Sequence, residues 1–341
     1  MNKTNIPWAD LTWNPITGCT KGCDYCYARG IARRFSESTP EQIAESEDDF
    51  AKFAECFSAE KDNPEMGSVF PFGFLPTIYP HRLDEPLSAK KPSRIYLGSM
   101  GDIFDPAFPD DFRDRIFATV ATTPQHTYLL LTKQPEEMRR YMVERQSHHT
   151  TPPPWPRHGD ETAHRLPNLW LGVTVTNQAD ADERIPLLLD TPAAHRWVSV
   201  EPMLGPVDLS RWINPTGLSA CAHCDNDEKH YLSSRYVQEM EPQDDGFMCP
   251  ECGETRLLTG WDNGLDWVVV GGQTPGKPLH EQGCTDEECA DCPDYDNDCG
   301  LIAVRSLRDQ CAEAGTPVFY KHGGAVPELD GVKHDAIGGA L

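Results

Sequence analysis

Short runs rich in β-branched and aromatic residues alternate along the chain with longer stretches whose apolar positions recur every three or four residues. The runs are Arg94–Met100 (RIYLGSM), His126–Thr132 (HTYLLLT), Asn168–Val175 (NLWLGVTV), Arg196–Val200 (RWVSV), Asp266–Val270 (DWVVV) and Pro317–Tyr320 (PVFY), and each reads as a strand. Between them Asp110–Thr122, Pro135–Arg145, Ala179–Leu189 and Leu301–Ala314 have helical spacing, and Gly315 supplies a stop after the last. Strands alternating with helices predict a parallel sheet and an α/β fold. One further strand before Cys19 turns the series into a partial or complete (β/α) TIM-like barrel.

Four segments interrupt this rhythm. Residues 36–65 are acidic, and Thr39, Pro40 and Gln42 form a capping-box start for a helix. The stretch from Gln146 contains TPPPWP and reads as a surface loop. The last two interruptions hold most of the later cysteines. The expected organisation is a first barrel part at 1–213, with the acidic helical insertion 36–65 and the Pro-rich loop 146–167. A zinc-ribbon insertion follows at 214–263, then a last barrel part at 264–341 with a Cys-rich insertion at 280–300. There is no internal repeat.

A length of 341 residues suits two domains or one large barrel with insertions. Hydrophobic residues make up 38%, and no apolar run reaches the roughly 18 residues of a membrane span. The N-terminal MNKTNIPWADLTWNP lacks the apolar stretch of an export signal, so a reducing cytoplasm is expected and a membrane partner is not. The balance of 30 Lys+Arg against 54 Asp+Glu, a formal charge of -24, argues at first against a nucleic-acid partner. Its location alters that conclusion. Segments 36–65, 221–252 and 281–299 carry 26 of the 54 acidic residues and 4 of the 30 basic ones, so the rest is close to neutral. The insertions are expected to face solvent or a basic partner, and the barrel mouth stays open to a nucleic acid.

In a reducing compartment 13 cysteines point to metal ligands or catalytic thiols before disulfides. Gly18–Ala28 (GCTKGCDYCYA) places Cys19, Cys23 and Cys26 on a loop that enters an Arg-rich helix. Three thiolates can hold three irons of a [4Fe–4S] cube and leave the fourth open to a small ligand. The competing reading is a zinc or structural cluster site completed by a distant cysteine.

The C-x3-C-x2-C spacing with Tyr25 before the last cysteine resembles the signature of the radical S-adenosylmethionine superfamily. The segments WADLTWNPITGC, HRLDEPLSAKKPSRIYLGSMGDIF, HTYLLLTKQPEEM, LGVTVTNQ, ADERIPLLLDTPA, VSVEPMLGPVDL, DWVVVGGQ and VRSLRDQCAEAG before VFYKHGG resemble a phage- and prophage-associated radical-SAM-like family of unknown function. The chain departs from that family in its shorter spacing between the first two cysteines and in carrying Gln273 in place of a glutamate. The resemblance implies that the open iron chelates S-adenosylmethionine. One electron, from a flavodoxin- or ferredoxin-like donor, then cleaves that cofactor to a 5′-deoxyadenosyl radical.

Active sites of βα barrels lie at the C-terminal strand ends, and polar residues gather there. Ser99, Gly101 and Asp102 follow the second strand, where the superfamily holds the methionine amine. The functional reading gives that amine to Asp102 or Ser99, the ribose to Thr176 or Asn177, and a close backbone approach to Gly271 and Gly272. Tyr25 and Ser199 join the cofactor-binding set. Glu201, Lys321 and Asp102 are catalytic candidates, because charges at a barrel mouth need partners. The bland alternative is that the hydroxyls cap helices and the glycines make turns.

Cys221, Cys224, Cys249 and Cys252 form two C-x2-C pairs with zinc-ribbon spacing. Cys284, Cys289, Cys292 and Cys299 supply four ligands for an auxiliary [4Fe–4S] cluster or a second zinc. Cys56 and Cys311 read as core. Arg29, Arg33 and Arg34 behind the thiol loop favour a nucleic-acid base or nucleotide as substrate. A peptide- or protein-modifying enzyme with an auxiliary cluster, and a non-enzymatic metal-binding module, remain alternatives. The oligomeric state is open.

Overall fold

A computed structural model describes residues 1–36, 57–59, 70–147, 166–213, 219–220, 231–232, 247–248, 255–256, 264–271, 299–321, 328–329 and 332–336. The fold is mixed α/β and is built on mostly parallel sheet. The chain forms two compact units, Met1–Thr174 with Pro186–His195, and Val175–Ile185 with Arg196–Leu341.

The first unit opens with β1 (Asn2–Lys3), β2 (Leu11–Trp13), β3 (Ile16–Thr17) and α1 (Tyr27–Phe35). It continues with β4 (Phe57–Ser58), β5 (Thr77–Ile78), α2 (Glu85–Ser88), β6 (Arg94–Leu97), α3 (Asp110–Thr122), β7 (Thr127–Thr132), α4 (Pro135–Ser147) and β8 (Leu169–Val175). β1 runs antiparallel to β2, and β2, β6, β7 and β8 then run parallel in that order. Their side chains supply the core: Trp13, Ile95, Leu97, Tyr128, Leu129, Leu130, Leu171 and Val173 are all fully buried. Burying each is worth about 1.5–3 kcal/mol, which outweighs the modest cost of pairing strands in parallel. β3, β5 and β4 form a small separate sheet.

α3 and α4 open with acidic pairs, Asp110/Asp111 and Glu136/Glu137, that suit a helix N-terminus. α3 has the bounds its periodicity predicts. α4 continues to Ser147, into the expected Pro-rich loop, whose remainder up to residue 165 lies outside the described residues. β6 stops at Leu97 instead of Met100, because Gly98 takes a φ of 80° and turns the chain. Residues 36–65 are described only at 36 and 57–59, where β4 pairs parallel with β5 rather than continuing a helix.

In the second unit β9 (His195–Val200, entered at its second residue), β14 (Trp267–Gly271) and β15 (Val318–Lys321) run parallel, with β14 central. Trp197 and Trp267 face each other across the β9–β14 pair with ring centroids 4.9 Å apart. α5 (Gln178–Leu189) follows β8. α6 (Cys299–Ala314) precedes β15 and starts two residues before the predicted Leu301. Two small antiparallel hairpins, β10 (Ser219–Ala220) with β11 (Tyr231–Leu232) and β12 (Phe247–Met248) with β13 (Thr255–Arg256), occupy the expected ribbon region. β16 (Glu328–Leu329) and β17 (Val332–Lys333) form a third hairpin. No helix among the described residues is long and apolar enough to cross a membrane.

Candidate functional site at the strand ends

β2, β6 and β7 are parallel neighbours, so the loops that follow them emerge on one edge of the first unit. The first of these loops carries the three thiols. It leaves β3 through Gly18, whose N–H bonds the Met100 carbonyl at 3.0 Å and which pairs with Gly101 as an isolated bridge. Both glycines are required by close approach. A Cβ on Gly18, at φ 86°, would lie 2.3 Å from the Leu75 carbonyl oxygen, and one on Gly101 would lie 2.6 Å from that of Gly18.

Cys19, Cys23 and Cys26 are all partly exposed, and none is in a disulfide. The Lys21 N–H donates to Cys19 Sγ at 3.3 Å, and the Cys26 N–H donates to the Cys23 carbonyl at 3.2 Å. Cys26 is the N-cap of α1 and its sulfur accepts from Arg29 N–H at 3.4 Å, where the helix dipole is positive. Cys19 and Cys26 pack with Met100 against one apolar cluster, Ala28, Ala32, Phe70 and Phe74. Burial first, then the nearby carboxylates of Asp102 and Asp105, push the Cys19 thiol well above its ordinary range.

Among the described residues no three His, Cys, Asp or Glu side chains converge to hold a single metal ion. The three thiols are free and lie on one loop, and two of them pack against a shared apolar wall.

The second-strand loop is tied tightly to the thiol loop. Asn14 Oδ1 accepts the Met100 N–H at 3.0 Å, its side chain bonds the Ser99 hydroxyl at 3.1 Å, and the Tyr27 hydroxyl donates to the Ser99 carbonyl. Asp102 is 6% exposed and faces inward. Its carboxylate accepts from Thr132 Oγ1 at 2.7 Å, Lys133 N–H at 2.9 Å and Phe104 N–H at 3.1 Å, joining the loops after β6 and β7. Burial raises its pKa despite these bonds. Lys133 also lies over the Tyr25 ring, 5.7 Å from its centroid. Cys19, Cys23, Cys26, Tyr25, Ser99, Gly101 and Asp102 thus share one edge of the first unit.

The remaining sequence candidates lie in the second unit. Lys321 Nζ pairs with Glu201 Oε1 at 2.6 Å, and Ser199 Oγ lies 3.4 Å from Glu201 Oε2. Gly271 leaves room for that pair, since a Cβ there would approach Glu201 Oε1 to 3.2 Å and the Lys321 carbonyl oxygen to 3.0 Å. Asn177 caps α5, its Oδ1 accepting the Asp180 N–H at 3.0 Å, and the Thr176 hydroxyl beside it donates to Asp180 Oδ2 at 2.6 Å.

Gly272, Cys56, Cys221, Cys224, Cys249, Cys252, Cys284, Cys289 and Cys292 lie outside the described residues. Cys299 is the first residue of α6, and only its backbone is described. Cys311 is fully buried, and burial pushes its thiol up to about 12. Asn14, Thr20, Tyr27, Asp105 and Gln134, which hold the thiol loop in place, were not singled out by sequence. Their partners on the other loops lie 29 to 86 residues away, and only the Asp105 turn to Ala107 has a local signature.

The chain is similar to a solved structure of spore photoproduct lyase complexed with dinucleoside spore photoproduct, with 11% sequence identity and a TM-score of 0.43, covering 94% of this chain and 79% of the other. No curated protein matches it. Residues 3–284 match the family described as protein of unknown function DUF5131, and over that span the chain belongs to this family.

Proposed function

We propose that this chain is a cytoplasmic radical S-adenosylmethionine enzyme in which Cys19, Cys23 and Cys26 ligate a [4Fe–4S] cluster. The observation that carries the reading is the position of the thiol loop. It follows the first parallel strand of its unit and is bonded to the loop after the second, on the edge where βα folds place active sites. The parallel strands are read as those of a radical SAM barrel. When bound, the cluster would supply the electron that cleaves S-adenosylmethionine to methionine and a 5′-deoxyadenosyl radical, with a flavodoxin- or ferredoxin-like protein as donor.

The chain's own residues orient and enclose. Asn14 and Tyr27 hold Ser99 beside the thiols, and Gly101 allows the two loops to touch. Asp102 is assigned a positioning role, since the donors it accepts come from the protein itself. Glu201, Lys321 and Ser199 are assigned to substrate binding at the strand ends of the second unit.

A nucleic-acid base or nucleotide is the proposed substrate class. Arg33 and Arg34 are exposed in the last turn of α1, the helix that Cys26 caps, in a chain whose excess acid lies in its insertions. Each C-x2-C pair falls in the link of a two-stranded hairpin, 221–230 or 249–254, and this supports a zinc ribbon there. The 284–299 group is proposed to hold an auxiliary cluster or a second zinc, and the phage association is proposed from the motif resemblance alone.

Anaerobic reconstitution with iron and sulfide tests the reading. The wild type is expected to absorb at about 400 nm and to cleave S-adenosylmethionine under dithionite, and a Cys23→Ala variant to lose both. Retention of colour and cleavage in that variant would overturn it.

A further inference from the structure

The proposed function gives Asp105 no role, yet three segments of the first unit meet on it. It is fully buried. Its Oδ2 accepts the Thr20 N–H at 2.6 Å, the Thr20 hydroxyl at 2.7 Å and the Gln134 side-chain amide at 2.8 Å. Its Oδ1 accepts the Ala107 N–H at 3.0 Å. Its backbone carbonyl takes the Arg113 guanidinium at 2.6 Å, and that guanidinium also bonds the Ile103 carbonyl at 2.9 Å.

The connections matter more than their number. Thr20 directly follows Cys19, Gln134 stands at the entry to α4, and Arg113 belongs to α3. One buried residue therefore links the thiol loop to its surroundings: the carboxylate joins Thr20 to Gln134, and the backbone carbonyl takes Arg113 of α3. Main-chain and hydroxyl donors from a single residue fix that residue's orientation as well as its distance, and charge-assisted bonds of this length are the strong ones. All four donors to the carboxylate come from the protein, and two of them belong to Thr20, the neighbour of Cys19.

We propose that Asp105 is the positioning residue of the thiol loop. It locks Thr20, and so Cys19, against the loops after β6 and β7 before any cluster binds, and its buried negative charge lowers the reduction potential of a cluster bound there. The second half rests on the proposed function, whereas the first concerns the apoprotein alone.

The experiment compares wild type with Asp105→Asn, Thr20→Val and Thr20→Ser. In the anaerobic apoprotein, iodoacetamide labelling of each cysteine is followed by mass spectrometry. Cys19 is expected to label about tenfold faster in Thr20→Val, which keeps the Asp105 charge, through more frequent local opening, and at least as fast in Asp105→Asn, which also removes that charge, while Thr20→Ser keeps the hydroxyl and the wild-type rate. Buried Cys311 serves as internal control and is expected not to change. Equal Cys19 rates in all four proteins overturn the proposal, as does a parallel rise at Cys311, which would mark general loosening.

In reconstituted protein a redox titration followed by electron paramagnetic resonance is expected to show a higher midpoint potential in Asp105→Asn than in wild type or Thr20→Val. An unmoved midpoint overturns the role of the charge. If wild type takes up no iron, the proposed function fails and the potential with it, while the labelling rates still decide the clamp.

Discussion

Gly18 and Gly30 lie on the same loop and helix, yet a methyl group would meet opposite surroundings at each. At Gly18 the backbone is left-handed and the added carbon would press on the carbonyl oxygens of Leu75 and Phe74, at 2.3 and 2.6 Å. At Gly30, within α1, it would meet nothing within 4 Å. Gly18→Ala is expected to cost about 2 kcal/mol or more, and Gly30→Ala to add about 0.5–1 kcal/mol by restricting the unfolded chain. Urea midpoints with unchanged slopes check both, and equal shifts would contradict the geometry. The motif GCTKGCDYC announced the thiols, because spacing within one loop is a local property. Nothing local announces Asn14 or Asp105, whose value depends on loops that only the parallel register of β2, β6 and β7 brings together. Asn177 shows the converse: ligand binding and helix capping both suit its place after a strand, and its observed bond from the Asp180 N–H is that of a cap.

At the scale of elements, α3 and α4 are joined by a charge network that also supports the Asp105 turn. Arg113 is 1% exposed and bonds Asp110 and Glu137, while Arg140 bridges the same two carboxylates and adds Glu144 at 2.6 Å. Burial alone would raise the Asp110 carboxyl, but hydrogen bonds from Arg140 and Arg113 and their charges outweigh it and hold it below its ordinary value. Asp110 therefore releases its proton more readily folded than unfolded. Its contribution to stability is complete above the unfolded carboxylate range, about pH 4, and is lost as pH falls through the lower folded value. Stability measured by urea unfolding should fall more steeply below about pH 4 in wild type than in Asp110→Asn, and parallel curves would remove the assignment. Periodicity marked these helices well because their burial repeats with the helical turn. It marked the end of β6 poorly, since Ser99 and Met100 continue a strand-like pattern past the point where Gly98 turns the backbone.

For the whole molecule, the three cysteine groups are separate in sequence, and the acidic excess coincides with the segments that carry two of them. Carboxylates around a site attract cations, but thiolates decide which metal stays, and under the proposed function each group of ligands serves a centre of its own. The arrangement predicts independent filling. Anaerobically reconstituted protein is expected to hold about four irons and two zincs per chain if residues 284–299 bind zinc, or about eight irons and one zinc if they bind a cluster. Cys221→Ala with Cys249→Ala should remove about one zinc and leave iron content and the absorption at about 400 nm unchanged. Cys23→Ala should lower iron by about four and leave zinc alone. Elemental analysis of the three proteins decides this. Iron falling in step with zinc in the ribbon variant would show that the centres share ligands, and would take with it the view of the 214–263 segment as a self-contained insertion.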